Sequence, residues 1–386
     1  MGHYNTIMNQ LLKNSSRHEF QSIVNYYSGD HRVHNFDCWS QFVTMLYAQL
    51  TNQKSLRDLE MSLHSNHHKW YHLGLKSIRR STLADANTKR SWMIYRDYFE
   101  ALLASCKRYA PKHKFKFKNN LYSLDSTTVD LCLSLFPWAT FRRTKGALKI
   151  HTLLDHSGYL PSFIYISEGK VHDINIARKI TLPPSSILLT DRAYTKFKWF
   201  ANLHKQGVFF IIRAKDNLNY KVIERRRVDK SKGLLCDQSI VLKGYYQSRD
   251  YPQALRRIGF RDPETGKYLV FLTNNFKLSV KTIADLYKER WQIEIFFKYI
   301  KENLKIKTFL GTSVNAVMTQ IFIAMCAYLM MAFLKFLHSL TISLSKIKTL
   351  IQVNIFAKLD LVDLLSLKIT KPPGGPPQLP LFEAWS

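Results

Sequence analysis

The segment Tyr287 to Lys301 carries side chains of both signs at spacings that a helix would align. At about 100° per residue, with Tyr287 at zero, Arg290 falls at about 300°, Glu294 at about 340° and Lys301 at about 320°, an arc of about 60°. Ile293, Phe296, Phe297, Ile300 and Leu304 fall between about 180° and 280° on the same wheel and form an apolar stripe. One helix would thus present a carboxylate, two cations and a phenol in a row at the edge of buried surface. An ordinary helix with ion pairs has the same look, and Glu294 and Lys298, spaced i, i+4, could pair in any helix.

Two further acids give the row a chemistry. Asp125 lies inside an apolar-flanked strand pattern, Leu121 to Val129, and Asp191 ends the run Ile187 to Thr190. A carboxylate in or at the end of a buried strand is costly unless it is paired or bound to a metal. Neighbouring strands can bring two such acids together, and a packed helix can add a third. Three clustered carboxylates repel one another and are relieved by divalent cations. Two Mg2+ ions, or Mn2+ in their place, held by Asp125, Asp191 and Glu294 would clamp both oxygens of an in-line displacement at phosphorus.

The elements that must position these groups can be read coarsely. Residues 1 to about 110 read as helical. Phe36 to Leu50 has helical spacing, Thr51 to Gln53 makes a break, and Ser55 to Glu60 opens a capped second helix, a weak helix-turn-helix pattern. Basic residues follow at Lys76, Arg79, Arg80, Lys89 and Arg90, as a solvated helix face or a DNA-facing one. His64, His67, His68 and His72 cluster without a Cys or clear carboxylate beside them and read as polar surface or a DNA-facing segment rather than a zinc site. After Pro111 and a basic connector, strands are expected over Leu121 to Val129, Leu148 to Leu154, Leu160 to Ile166, Ser186 to Thr190 and Val208 to Arg213, with a turn at His156 to Gly158. Helices are expected over Val171 to Ile180 and Thr195 to Lys205. Residues 215 to 277 break the strand–helix alternation, with strand patterns at Tyr220 to Glu224, Ser239 to Tyr246 and Tyr268 to Thr273. A long helix is expected from near Val280 to about Leu304, followed by more helix and a Pro/Gly-rich stretch from Lys371 to Pro380.

The bulk numbers agree with a nucleic-acid partner. The 386 residues carry 57 Lys plus Arg against 28 Asp plus Glu, a net charge of +29. Such an excess repels itself unless it meets a polyanion, with nucleic acid the first candidate and an anionic membrane surface the second. Hydrophobic content of 46% allows packed cores and excludes a disordered chain. Five cysteines with no Cys-x-x-Cys pair exclude a zinc ribbon and a disulfide framework and fit a reducing cytoplasm. The first residues show no apolar signal region and match only a loose myristoylation pattern. Val317 to Leu334 is almost wholly apolar and about long enough to span a bilayer, but Gln320 within it and Lys335 after it favour a buried helix.

On these residues the sequence resembles the DDE transposases of bacterial insertion sequences, in particular the insertion sequence four branch. That branch is marked by Tyr, Arg, Glu and Lys at the spacing of Tyr287, Arg290, Glu294 and Lys301. Its first two acids resemble Asp125 in Leu-Asp-Ser-Thr and Asp191 in Thr-Asp-Arg-Ala-Tyr. The stretch Phe309 to Ser313 and the residues Arg80 to Leu83 with Ala86 and Asn87 are similar too. Ala193 stands where many relatives have Gly, and it too is small.

The resemblance implies an α/β fold: an RNase H-like mixed sheet with flanking helices, interrupted by a β-rich insertion and preceded by an all-helical DNA-binding domain. The division would be 1–110 for that domain, 111–214 for the first part of the catalytic core, 215–277 for the insertion, 278–345 for the second part, and 346–386 for a C-terminal helix and tail. It further implies cut-and-paste movement of an element with inverted-repeat ends, and double-stranded DNA as partner, with a homodimer pairing two ends. Work in the bacterial cytoplasm, at the nucleoid and away from membranes, is expected. Arg290 and Lys301 would bind phosphates, Tyr287 would bond a terminal phosphate, and Lys298, Arg80, Lys89 and Arg90 would be further DNA contacts. Some relatives stack a flipped base on Trp, for which Trp199 and Trp291 are candidates, although a packed Trp is the commoner state of each. A non-transposing metal nuclease of the same fold and an inactive DNA-binding relative are the other readings.

Overall fold

The structure, a computed structural model, describes residues 5–367 except 77, 143, 144, 264, 305 and 307, with the backbone alone for 140–142, 145 and 232. The chain opens with helices α1 (Ile7–Lys13), α2 (Arg17–Tyr26), α3 (Cys38–Thr51), α4 (Leu56–His64), α5 (Trp70–Leu73), α6 (Arg80–Lys89) and α7 (Met93–Tyr109). Then come β1 (Leu121–Leu131), β2 (Thr140–Arg142), β3 (Lys145–Asp155), β4 (Leu160–Glu168), α8 (Asp173–Ala177), β5 (Ile187–Thr190), α9 (Phe197–Lys205) and β6 (Phe209–Arg213). The strand-rich stretch holds β7 (Tyr220–Arg226), β8 (Leu234–Leu242), α10 (Tyr245–Asp250), β9 (Leu255–Arg261) and β10 (Tyr268–Thr273). Helices α11 (Val280–Glu289), α12 (Trp291–Asn303), α13 (Val314–Leu337), α14 (Leu344–Asn354) and α15 (Leu361–Leu365) close the described chain. The Pro/Gly-rich stretch 371–380 lies outside the described residues.

The strands form one mixed sheet in the order β2-β3-β1-β5-β6-β10-β9-β8-β7, with β4 also on β3. Strands β1, β5 and β6 run parallel, whereas β3 is antiparallel to β1 and β4 to β3. The expected turn between β3 and β4 is present. Gly158 sits there at φ +71°, where a Cβ would come within 2.8 Å of the Phe336 ring at the end of α13. Residues 215–277 are strand-rich as expected, yet they continue the main sheet, because β10 pairs antiparallel with β6.

Three expectations need correction. The strand expected to run to Tyr246 ends at Leu242, and Tyr245–Asp250 is helical after Gly244. Strand β9, Leu-Arg-Arg-Ile-Gly-Phe-Arg, was not expected, since its arginines mask the alternation that marks a half-buried strand. The long helix from Val280 to Leu304 is two helices meeting at Arg290. There the amide of Arg290 bonds the carbonyl of Tyr287 at 3.2 Å and that of Ile293 bonds Arg290 at 3.1 Å, so a tight three-residue turn interrupts the ladder.

Helix caps follow from local sequence. Asp37 accepts from the Ser40 amide to start α3, Asn52 ends it in the left-handed region at φ 57°, and Ser55 accepts from the Asp58 amide to start α4. The α3–turn–α4 pair is therefore real, but α3 is buried from Cys38 to Leu50. Its enclosure comes from a shared core: one buried cluster joins residues of α1 to α7 with α12 to α15 and with Val129, Leu131, Ile150, Leu154 and Leu160 of the sheet. Helix α13 runs through that cluster. It is long and apolar enough to cross a membrane, and 89% of its most apolar window is buried inside the fold. A second cluster packs α9 on Tyr122, Leu124, Leu188, Phe210 and Ile212, and a third packs α11 on Leu121, Ile187, Leu189, Ile211 and Phe271. Successive strand residues face opposite sides, so α9 and α11 cover the two faces of the parallel strands.

Candidate active site

In the parallel pairing of β1 with β5, Leu124 lies opposite Thr190. Asp125 and Asp191 are the next residues along neighbouring strands spaced about 4.8 Å apart: Asp125 stays within β1, opposite Thr152 of β3, whereas Asp191 follows the last residue of β5. Asp191 accepts a bond from the backbone amide of Arg192, which fixes it as the cap of a short 3-10 turn, Arg192–Tyr194. Asp125 accepts from the Ser126 amide at 2.8 Å.

Helix α12 meets this edge from the face that α11 covers. Arg290, at the α11–α12 turn, donates from Nη1 to Asp125 Oδ2 at 3.2 Å and from Nη2 to Glu294 Oε1 at 2.6 Å. The strand acid and the helix acid are thus joined through one guanidinium whose side chain is 14% exposed. Burial raises the Asp125 carboxyl to about 6; the Ser126 amide and Arg290 oppose the rise, and the charges of Asp191 and Glu294 add to it. Among the described residues, no three His, Cys, Asp or Glu side chains converge as a ready-made metal cage; Arg290 lies between two of the expected three. Burial works against the charge of Arg290, but Tyr287, Asp125 and Glu294 outweigh it and raise its pKa. The Arg290 guanidinium also lies 5.7 Å from the centroid of the Tyr287 ring.

The other expected site residues fall in different settings. Glu294 takes Arg290, four residues before it, as partner. Lys298 is exposed and Lys301 half-buried on α12. Arg80 and Lys89 are exposed on α6, where Lys89 pairs with Asp85 at 3.6 Å. Arg90 is turned inward: it bonds Gln41 Oε1 at 3.2 Å and the Phe36 carbonyl, with the Phe36 ring 5.6 Å away. Trp199 is buried at 4% exposure, whereas Trp291 is 59% exposed beside Arg290. His64 and His67 lie within hydrogen-bond distance of backbone carbonyls.

Two groupings escaped the sequence. Glu289, buried next to Arg290, accepts from the Tyr159 hydroxyl at 2.8 Å and pairs with Lys114, which ties the helix break to the β3–β4 turn and to the basic connector. Behind β1, Ser126, Lys149, His151 and Asp173 form a polar network. Lys149, His151 and Thr152, polar residues inside an otherwise apolar strand, were the available signal.

The comparisons with known proteins identify the family. Residues 116–330 match the family model described as the transposase DDE domain. Residues 3–76 match a model described as a domain of unknown function. A chain named as transposase y4zB of Sinorhizobium fredii is 30% identical over 283 residues, 72% of this chain and 78% of that one. A chain named as the transposase for insertion sequence element IS5377 of Geobacillus stearothermophilus is 30% identical over 263 residues, 68% of each. The piggyBac transposase, solved as a synaptic complex with hairpin DNA, superposes with a TM-score of 0.46 at 11% identity, covering 96% of this chain and 82% of that chain. The chain belongs to the transposase DDE-domain family and is a DNA transposase, an enzyme of DNA cleavage and strand transfer in a family generally dependent on divalent metal.

Proposed function

We propose that the chain is a transposase of the insertion sequence four branch, which cuts at the inverted-repeat ends of its element and joins the freed 3′-hydroxyls to target DNA. Asp125, Asp191 and Glu294 are its metal ligands and Arg290 is the residue that organises them. The single observation that carries the reading is the guanidinium bridge from Asp125 on β1 to Glu294 on α12, residues that lie 165 and 4 positions from Arg290 in sequence.

The donor set suits hard divalent cations: carboxylate oxygens, one of them raised to about 6 by burial and by two neighbouring acids. Bound there, two Mg2+ ions, or Mn2+ in their place, supply the positive charge that the developing transition state at phosphorus requires. The chain's own groups do the rest. The middle of β1 and the end of β5 fix Asp125 and Asp191 on rigid backbone, and the α11–α12 turn aims Arg290 and Glu294 at them. Arg290, released from Asp125, offers its planar fork to a phosphate next to the scissile bond. Lys301, about two turns beyond Glu294 on α12, adds a point charge, with Lys298 on the exposed side. Burial raises the Tyr287 phenol above its ordinary value, which keeps it a hydrogen-bond donor to a terminal phosphate. Arg80 and Lys89 extend the basic surface over the helical region. Two copies pairing two DNA ends, in the bacterial cytoplasm at the nucleoid, complete the proposal.

The test is strand cleavage and joining on DNA carrying the element's inverted repeat. Asp125→Asn, Asp191→Asn and Glu294→Gln should each abolish cleavage while leaving DNA binding mostly intact. A variant that keeps more than about a tenth of normal cleavage removes its residue from the metal site, because losing a ligand should cost several kcal/mol at the transition state. Cleavage without joining by the unaltered protein would favour the metal-nuclease reading.

A further inference from the structure

On the face of the sheet opposite Arg290, the strand that carries Asp125 is held by a buried ionic network that the reaction as described does not use. Ser126 Oγ donates to Asp173 Oδ1 at 2.7 Å. The same carboxylate pairs with Lys149 Nζ at 3.3 Å and lies 3.4 Å from His151 Nδ1. Lys149 also donates to the Val171 carbonyl at 3.0 Å, and His151 Nε2 lies 2.9 Å from Ser167 Oγ. In the β1–β3 register Ser126 is opposite His151 and Thr128 opposite Lys149, so the network clamps β1 to β3 within a few residues of Asp125. The side chains of Lys149, His151 and Asp173 are 15%, 1% and 22% exposed.

The charges decide what the clamp does. Burial holds His151 well below its ordinary range, at about 4, so it is neutral at pH 7. Lys149 is then the cation of the group, and Asp173 is its counter-charge. A largely buried ammonium without that partner would oppose any divalent ion drawn to Asp125 from the other side of the strand. The network also reaches the second strand acid. Tyr194, three residues after Asp191 and 2% exposed, has its phenol raised by burial and then by the charges of Asp125 and Asp173, and α8 packs on the turn that Asp191 caps.

We propose that Asp173 is a positioning residue for the metal-binding acids: it anchors β1 through Ser126 and cancels the charge of Lys149, so that Asp125 and Asp191 present an undiluted negative site to divalent cations. This rests on the reading that Asp125 is a metal ligand. Partners of metal ligands typically change metal affinity by about 10- to 100-fold when removed, without touching the ion.

The experiment is a Mn2+ titration of the full-length protein followed by electron paramagnetic resonance, alongside thermal melting. Asp173→Asn should weaken Mn2+ binding about tenfold at a temperature where the variant is folded, with its melting temperature lowered by the unpaired Lys149 ammonium. The double variant Asp173→Asn, Lys149→Met should recover most of that loss, which a merely structural role would not produce. Ser126→Ala keeps the ion pair and removes the link to β1; it should weaken Mn2+ binding by about threefold and serves if Asp173→Asn fails to fold. Unchanged Mn2+ affinity in folded Asp173→Asn overturns the proposal, as does a loss that Lys149→Met fails to restore; if Asp173→Asn does not fold, unchanged affinity in Ser126→Ala overturns it. Asp125→Asn separates the two levels. If it too leaves Mn2+ binding unaltered, the metal-site reading itself fails; if it abolishes binding while the Asp173 variant binds normally, only the present inference falls.

Discussion

Replacing Arg290 by Met should have opposite effects on metal binding and on catalysis. Arg290 donates to Asp125 at 3.2 Å and to Glu294 at 2.6 Å, and the three side chains are 14%, 22% and 32% exposed. If Asp125 and Glu294 are metal ligands, the guanidinium and the divalent ion compete for the same oxygens, and the ion must displace at least one charge-assisted bond. Such a bond contributes about 1.5–3 kcal/mol, which is about ten- to a hundredfold in affinity at 1.4 kcal/mol per tenfold. Arg290→Met removes the competitor and its positive charge, so Mn2+ should bind the DNA-free protein about tenfold more tightly or better. Without metal the same variant should be less stable by about 1–3 kcal/mol, below the 3–5 kcal/mol for a fully buried pair because water reaches both acids. Added Mn2+ should therefore raise its melting temperature more than that of the unaltered protein, since stabilisation grows as the logarithm of ligand over Kd. Cleavage of end DNA should nonetheless fall by about a hundredfold, for want of the phosphate contact. Titration followed by electron paramagnetic resonance and melting curves with and without Mn2+ read the two equilibria. Mn2+ binding unchanged or weakened in a folded Arg290→Met protein would refute the argument that this side chain competes with the metal.

The other predictions concern DNA contacts and pH. Lys301→Ala should weaken DNA binding and flatten its salt dependence by about one phosphate contact; an unchanged slope in binding titrations from low to moderate salt rules out the phosphate role. Arg80→Ala should leave the melting temperature unchanged and weaken DNA binding, whereas Arg90→Ala should destabilise the fold by about 1–3 kcal/mol, because its bonds to Gln41 and the Phe36 carbonyl are internal; equal melting temperatures for the two variants contradict this division. His156, 2% exposed and bonded to Ser123 Oγ at 2.7 Å, is held by burial at about 4, below its unfolded value of 6.5. The unfolded chain binds the extra proton first, so this group's contribution to stability is full above about pH 6.5 and falls by about 3 kcal/mol on the way to pH 4. Asp125 and Asp155, both raised, act in the opposite sense. The contrast with His156→Asn isolates the effect: the variant should lose stability at pH 7.5 and close the gap by pH 4.5, and parallel melting curves across that range would exclude the assignment.

What the sequence made legible follows the range of the interactions involved. The strands and acids of the catalytic core announce themselves locally: Leu121 to Val129 is an apolar strand interrupted by one acid, and Ile187 to Thr190 ends on another. Buried strands tolerate few alternatives, so β1, β5 and β6 and the turn at Gly158 were readable within a residue or two. The row of Tyr287, Arg290, Glu294 and Lys301 was legible as a pattern but not as a helix. Helical spacing assumes an unbroken ladder, and the break at Arg290 goes with contacts from elsewhere in the chain, Glu289 to Tyr159 and Lys114, and Arg290 to Asp125. Arg90 illustrates the same limit in reverse: a basic residue reads alike whether it faces solvent or the core, and only the packing of α3 against α6 turns it inward, whereas Trp199 is packed, the commoner state expected of it.

The shared core also changes how DNA recognition must be tested. The helical region was expected to be a separable reader of the element's ends, which invites deletion of residues 1 to about 110. The buried cluster, however, passes without interruption from Phe42 and Leu46 of α3 and Tyr95 and Phe99 of α7 into α13 and on to Ile293 and Phe297 of α12, the helix of Glu294. Trp92 stacks on Phe322 at 5.4 Å, and Asn315 at the start of α13 bonds the carbonyls of Asn87 and Arg90. Removing α1 to α7 would strip the most apolar helix in the described chain of its cover, at about 25 cal/mol for each Å2 of apolar surface exposed, and would loosen the support of α12. Loss of end recognition in such a truncation would then report a disturbed catalytic core as readily as a missing reader. Point substitutions on the exposed face of α6, Arg80 and Lys89, leave that core intact and so can separate recognition from chemistry, which the packing forbids a deletion to do.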